Sequence, residues 1–128
     1  MNLKYKYMNN IGIEYGKWLS TMEWNYLATV RPHYSLTPNG SDRMMSKLIK
    51  YKYIDNIFFA LERDIDCRMN HAHLLLKTSN KLNRKELSKA LGLNSKAVGY
   101  FDSVLSSEAV SYYCSKHISK PFSHHNFF

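Results

Sequence analysis

Two short apolar segments that follow one another closely constrain the fold of this chain more than any other feature. Residues 56–63 and 70–77 each have the length of a β-strand, and six residues, 64–69, three of them charged, separate them. Strand-length segments joined by a short polar stretch are typical of an antiparallel hairpin. A hairpin with one apolar face needs further elements to cover that face, so the rest of the chain has to supply them.

Turn and cap signals predict those further elements. In order, they are a strand at 24–31, a loop at 38–40, a helix at 43–53 capped by Asp42, the hairpin, a helix at 82–91 ending at Gly92, a strand at 97–104 and a helix at 107–119. The order β-α-β-β-α-β contains the ferredoxin-like split βαβ pattern. We therefore predict an α+β fold: an RRM-like antiparallel sheet of four to five strands, with helices on one face and the last helix across the other. The tail 124–128 is expected to be a flexible terminus.

Length and charge indicate the class of protein. A chain of 128 residues fits one domain, 1–128, and a formal charge of +8 with a pI near 9.5 favours a polyanionic partner, nucleic acid ahead of an acidic membrane. The longest apolar run, 57–61, is too short to cross a bilayer, and no secretory signal is evident. We expect a cytoplasmic protein in which Cys67 and Cys114 are free thiols.

Two histidines in the second hairpin strand are candidate metal ligands. The strand period of two sends His71 and His73 to one face, with their Cα atoms about 7 Å apart. Glu62 in the preceding strand can lie beside them across the hairpin. Two imidazoles and one carboxylate with open positions form a known catalytic metal arrangement. The alternative is a pair of half-exposed sheet histidines near a charged side chain.

The last predicted helix contains a candidate nucleophile. Helical geometry puts Tyr113, Lys116 and Lys120 on one side, with His117 near them. Adjacent positive charge and a metal-bound phosphate would favour the phenolate during attack. Tyr112 also lies within one turn of Lys116, so spacing alone leaves both tyrosines open. A packed aromatic on an amphipathic helix is the simpler alternative.

These motifs, in this order, resemble those of the HUH endonucleases, especially the rolling-circle replication initiators of viruses and plasmids. The segment YLATVRP at 26–32 resembles their first motif, HAH at 71–73 their second and YCSK at 113–116 their third, and Glu62 occupies the place of their acidic ligand. The resemblance runs from residue 24 to residue 120. It implies Tyr113 rather than Tyr112 as the nucleophile, single-stranded DNA as the substrate and Mg²⁺ or Mn²⁺ as the cofactor.

The resemblance also implies a reaction. Tyr113 would attack phosphorus in a metal-assisted transesterification, which leaves a 5′-phosphotyrosine and a free 3′-hydroxyl that can later rejoin the strand. Lys116 would steady the phosphate or the departing charge, and Arg31, Lys77 and Lys120 would follow the DNA backbone. Since the chain has no phosphate-binding loop of the motor type, strand opening would have to come from a host or accessory helicase, from supercoiling or from an already single-stranded origin. Synthesis would depend on a host or accessory polymerase.

Three alternatives remain at this point. A single-tyrosine transposase of the same superfamily would share the chemistry. A non-enzymatic DNA-binding protein is suggested because residues 86–98 also resemble a helix-turn-helix, which requires a second helix beginning at Asn94. A metal-dependent hydrolase would use the same three ligands without a tyrosine.

Overall fold

The structure, a computed structural model, describes residues 10–66, 68–116, 118 and 123–128. It confirms the predicted α+β class. The helices are α1 (Asn10–Ser20), α2 (Pro38–Leu48), α3 (Arg84–Leu91) and α4 (Ser107–Ser115), with a 3-10 helix at Ser95–Ala97, and the strands are β1 (Tyr26–Val30), β2 (Ile54–Arg63), β3 (Asn70–Thr78), β4 (Val98–Ser103) and β5 (His124–Phe127). None of these helices has the length and apolar character needed to cross a membrane.

The five strands form one sheet in the order β4-β1-β3-β2-β5, and every neighbouring pair is antiparallel. The order of the first four strands is that of the ferredoxin-like split βαβ fold, as predicted. The central strands β3 and β1 are flanked on both sides, so their positions are set by two sets of ladder hydrogen bonds.

Helices α2 and α3 cover one face of the sheet. Met45 and Leu87 are fully buried there against residues of β3 that include Leu74. Leu91 ends α3, and Gly92 then adopts the left-handed conformation, with φ of 73°, as expected of a helix terminator. This face is the main hydrophobic core.

Helices α1 and α4 cover part of the opposite face. Leu19 of α1 and Cys114 of α4 are buried with Phe58 and Leu75, and the two helices pack along one another. Burial raises the pKa of the Cys114 thiol, which is free. Helix α4 contacts β2 and β3, so the β1 and β4 side of this face stays accessible, and that opening positions the site described below.

The start of α2 differs from the prediction. The predicted loop at 38–40 is helical, and the cap is Thr37, whose hydroxyl accepts a hydrogen bond from the Gly40 N–H, rather than Asp42. Pro38 stands in the first turn, where its missing N–H costs nothing and its fixed φ favours the helix. The helix also ends at Leu48, earlier than expected.

Two further elements differ from the sequence-based expectations, whereas the strand predicted at 97–104 is confirmed as β4 and the helix-turn-helix alternative is wrong. Helix α1 was not predicted at all. The tail is a strand, because His124–Phe127 pairs with β2, so the expectation of a flexible terminus was wrong. After α3 the chain forms a short 3-10 helix and then β4, so the second helix that a helix-turn-helix requires is replaced by a strand.

Candidate metal centre

Hairpin register brings the three predicted metal ligands together. Glu62 lies directly opposite His71, and His73 lies opposite Ala60, whose small side chain leaves room for an imidazole. His73 Nε2 is 2.8 Å from Glu62 Oε2 and 3.2 Å from His71 Nε2, and His71 Nε2 is 3.9 Å from the same Glu62 oxygen. Both imidazoles are buried, while Glu62 is half-buried.

The two shorter distances, 2.8 and 3.2 Å, are close to those between neighbouring ligands of one cation, and the third, 3.9 Å, is longer. With metal–ligand bonds of about 2.1 Å, cis ligands of an octahedral ion are about 3.0 Å apart, and those of a tetrahedral ion are about 3.4 Å apart. Hydrogen bonds among the three side chains satisfy their polar atoms less well than a cation would. A proton on His73 Nε2 can point to Glu62 or to His71 but not well to both, which leaves ring nitrogens facing each other. The residues could therefore hold a metal ion.

Burial keeps both histidines neutral at neutral pH. It is the largest cause that lowers the pKa of His71, and the neighbouring His73 and Arg31 lower that pKa further, against the opposing effect of Asp64 and Glu62. Burial likewise lowers the pKa of His73, although its hydrogen bond with Glu62 acts in the opposite direction. Neutral imidazoles offer the lone pairs that a metal requires.

Asp64 is a residue of the site that the sequence pattern did not indicate. Its two carboxylate oxygens accept hydrogen bonds from Arg31 Nη1 at 2.8 and 2.7 Å, and its Oδ1 is 3.2 Å from His71 Nδ1. The contact with His71 is a close one without hydrogen-bond geometry, since the Nδ1 atoms of both histidines lack a hydrogen-bond partner among the described residues. Asp64 thus stands behind His71, where a carboxylate can orient a metal-binding imidazole.

The predicted nucleophile lies beside the cluster. The Tyr113 ring meets the His73 ring edge to face, with centroids 5.3 Å apart, and 42% of Tyr113 is exposed. Lys116 Nζ lies 4.2 Å from the centroid of the Tyr113 ring, so the ammonium sits over the ring face. Burial, followed by the neighbouring Cys114 and Glu62, raises the pKa of the Tyr113 phenol despite the opposing effect of Arg31. The phenol is therefore protonated at neutral pH.

The Tyr112 ring packs against α1. It lies against Gly16 of α1, so close that a Cβ added to Gly16 would be 2.4 Å from Tyr112 Cδ1. The ring fills the space that a glycine leaves between two helices. The structure therefore separates the two tyrosines, which helical spacing could not do.

An open groove continues from the cluster across the sheet. It has a volume of about 620 Å³ and is lined by Leu27, Thr29, Arg31, His73, Gly99, Tyr100 and Tyr113. Tyr100 and His73 both lie opposite Thr29, on β4 and β3, so Tyr100 is two strands, about 10 Å, from His73. Tyr100 is exposed, and no sequence motif singled it out.

The residues predicted to bind the DNA backbone lie in different places. Arg31 lines this groove but is engaged by Asp64, and its Nη2 is 3.4 Å from His71 Nε2. Lys77 is on the same face of β3 as the histidines, partly buried, and four residues beyond His73, or about 13 Å along the strand. Lys120 and His117 lie outside the described residues.

Comparisons of the chain with protein-family models, with curated proteins and with solved structures found no match. The chemistry of the site therefore carries the functional assignment.

Proposed function

We propose that this protein nicks and rejoins single-stranded DNA through a covalent bond between Tyr113 and a 5′-phosphate, as the HUH endonucleases that initiate rolling-circle replication do. The observation that carries the proposal is the contact between the Tyr113 and His73 rings, with centroids 5.3 Å apart. It places an accessible phenol next to a cluster that could hold a metal ion. A hydrolase that used the same cluster would have no use for that phenol.

Glu62, His71 and His73 would hold Mg²⁺ or Mn²⁺. The cation would supply positive charge to a non-bridging phosphate oxygen and so make phosphorus easier to attack. A mixed set of one carboxylate and two imidazoles leaves coordination positions open for that oxygen and for water. Asp64 would keep His71 in the orientation that ligation requires.

Tyr113 supplies the attacking atom. Its Oη forms a bond to phosphorus as the bond from phosphorus to the 3′-oxygen breaks, the phenol proton passes to water, and the departing 3′-oxygen takes a proton from water. Since the phosphodiester is exchanged rather than hydrolysed, the 3′-hydroxyl can attack the phosphotyrosine and restore the strand. Lys116, over the ring, is placed to offset negative charge that develops on the phosphate.

The groove suits a single strand. Tyr100 is an exposed aromatic residue, two strands or about 10 Å from His73 across the sheet. Single-strand sites combine aromatic rings, on which bases stack, with cations. A duplex would keep its bases away from Tyr100 because they are stacked and paired. Arg31 provides the cation within the groove, and a helicase and polymerase from the host would act before and after the nick.

The test is a search for a covalent protein–DNA adduct. The protein is incubated with a mixture of single-stranded oligonucleotides and Mn²⁺ or Mg²⁺, and the products are separated on a denaturing gel. We expect an adduct that EDTA prevents and that Tyr113→Phe abolishes. Tyr112→Phe is the matched control, because it removes the neighbouring phenol oxygen and keeps the ring against Gly16.

Two results would contradict the proposal. An adduct that persists in Tyr113→Phe and disappears in Tyr112→Phe would place the nucleophile on the other tyrosine. Metal-dependent cleavage that continues undiminished in Tyr113→Phe, without any adduct, would make the protein a hydrolase. A transposase of the same superfamily would give the same adduct, and terminal hairpins flanking the gene would distinguish it.

A further inference from the structure

A second groove lies on the other face of the sheet, between α2 and α3. It has a volume of about 740 Å³, and its lining includes four cationic side chains together with Met44 and Tyr51. The cations are Arg43, Lys47, Lys50 and Lys89, and all four are exposed. We call this surface the basic groove. Since α2 and α3 cover the face opposite His71 and His73, the basic groove is separate from the groove that contains Tyr113.

No carboxylate of α2 or α3 neutralises the basic groove. The only acidic residue of α2, Asp42, accepts hydrogen bonds from His124 and Asn126 of β5. The only acidic residue of α3, Glu86, closes the capping box with Asn83. Within the described part of the chain, none of the four cations forms an ion pair with a carboxylate, so their charge is available to an external anion.

Helix stability does not explain this arrangement. Lys47 and Lys89 lie in the last turns of their helices, where positive charge offsets the helix dipole. Arg43 lies in the middle of α2, four residues before Lys47, and like charges at that spacing destabilise a helix. Arg43 and Lys47 are four residues apart, on one side of α2. Lys50 lies in the turn that follows the helix, where its N–H donates to the Lys47 carbonyl, and all three cations line the same groove.

The spacing fits a phosphate backbone. The seven residue steps from Arg43 to Lys50 would span about 10 Å along a helix axis, and a DNA strand passes about three phosphates over that distance, at about 3.4 Å of axis each. Tyr51 is the single aromatic ring of the basic groove. The groove with Tyr113 has two exposed tyrosines and the candidate metal ligand His73, and so suits unpaired bases. A surface that offers mainly cations recognises phosphates and leaves bases unread.

We propose that the basic groove binds the phosphate backbone of double-stranded DNA. A protein that acts on a single-stranded segment would thereby hold the duplex next to it, with the two grooves on opposite faces of the sheet. Duplex binding of this kind involves no catalytic step, so it does not depend on whether Tyr113 is a nucleophile.

The test compares two variants of equal charge. Arg43→Gln, Lys47→Gln and Lys50→Gln together remove three cations from the basic groove, and Lys81→Gln, Lys85→Gln and Lys96→Gln together remove three exposed lysines from elsewhere. Both sets reduce the formal charge from +8 to +5. Binding of a labelled duplex of about 20 base pairs is followed by fluorescence anisotropy over a range of salt concentrations. EDTA is present, and circular dichroism melting checks that each variant folds.

The wild type should bind the duplex with a Kd that rises steeply with salt. The basic-groove variant should bind at least tenfold more weakly, and the slope of log K against log[salt] should fall by about three, one for each phosphate that is no longer neutralised. The control variant should keep most of the affinity. Equal decreases in the two variants would mean that only total charge matters and would overturn the proposal. So would an unchanged affinity in the basic-groove variant, or a greater decrease for single strands than for the duplex.

Discussion

Replacing Asp64 by asparagine should weaken metal binding while it leaves the fold almost unchanged. The substitution keeps the shape of the side chain and removes its charge. Asp64 accepts two hydrogen bonds from Arg31 and lies 3.2 Å from His71 Nδ1. An amide can accept from Arg31 with only one oxygen, and it cannot favour a proton on His71 Nδ1 as a carboxylate does.

Two contributions should weaken metal binding in the Asp64→Asn variant. Removal of an outer carboxylate behind a metal-binding imidazole commonly costs 10- to 100-fold in affinity, or about 1.4–2.8 kcal/mol. Arg31 is also released, and its guanidinium already lies 3.4 Å from His71 Nε2, where it opposes a bound cation. Folding should lose less than about 1 kcal/mol, because the ion pair is partly exposed and such pairs contribute little.

The measurement is isothermal titration of the purified protein with Mn²⁺, together with urea unfolding. Asp66→Asn is the matched control, since it removes the same charge from the same connection at an exposed position. We expect a drop of at least tenfold in affinity for Asp64→Asn and a change of less than threefold for Asp66→Asn. Equal affinities for the two variants would refute a role of Asp64 in orienting His71, and a decrease of several kcal/mol in stability would show a structural role instead.

Three other outcomes are expected. Gly16→Ala should destabilise the protein, because the added Cβ would lie 2.4 Å from Tyr112 Cδ1. The overpacking cost of about 1–3 kcal/mol exceeds the gain of up to about 1 kcal/mol in helix propensity. An unchanged midpoint of urea unfolding would refute the contact. Because the pKa values of His71 and His73 are lowered in the folded protein, the unfolded chain binds more protons than the folded one just below pH 6.5. The free energy of unfolding should therefore rise with pH in that window and level off above it. A midpoint of urea unfolding that does not change from about pH 5 to pH 7 would contradict this. Since burial raises the pKa of Tyr113, the initial rate of adduct formation should increase with pH above neutrality, whereas a rate that falls there would argue against a phenol as nucleophile.

The sheet was predictable because local signals suffice for it. The hairpin of β2 and β3 follows from two strand-length apolar segments, and the sheet order follows from the split βαβ pattern. Helix α1 was missed because Gly12 and Gly16 weaken the helical pattern of Asn10–Ser20. Both glycines are buried, so at those positions packing decides the structure rather than propensity.

The metal ligands were predictable, but their surroundings were not. Strand period and hairpin geometry place Glu62, His71 and His73 on one face, and this needs no tertiary information. Asp64 lies in the connection after β2, where Arg68 adopts a positive φ of 56°, and the direction of a side chain in such a turn cannot be inferred from periodicity. The choice between Tyr112 and Tyr113 depends on the face of α4 that meets α1, a helix that no sequence signal predicted.

The packing of Tyr112 on Gly16 ties together two segments that are almost a hundred positions apart in the chain. Helix α4, which carries the candidate nucleophile, is fixed by a helix that is synthesised long before it. During synthesis α1 lacks its main helix partner until α4 emerges, and β2 has an open edge until β5 is complete. The reactive geometry is therefore assembled last, so a prematurely terminated polypeptide would possess the metal ligands without a correctly held tyrosine.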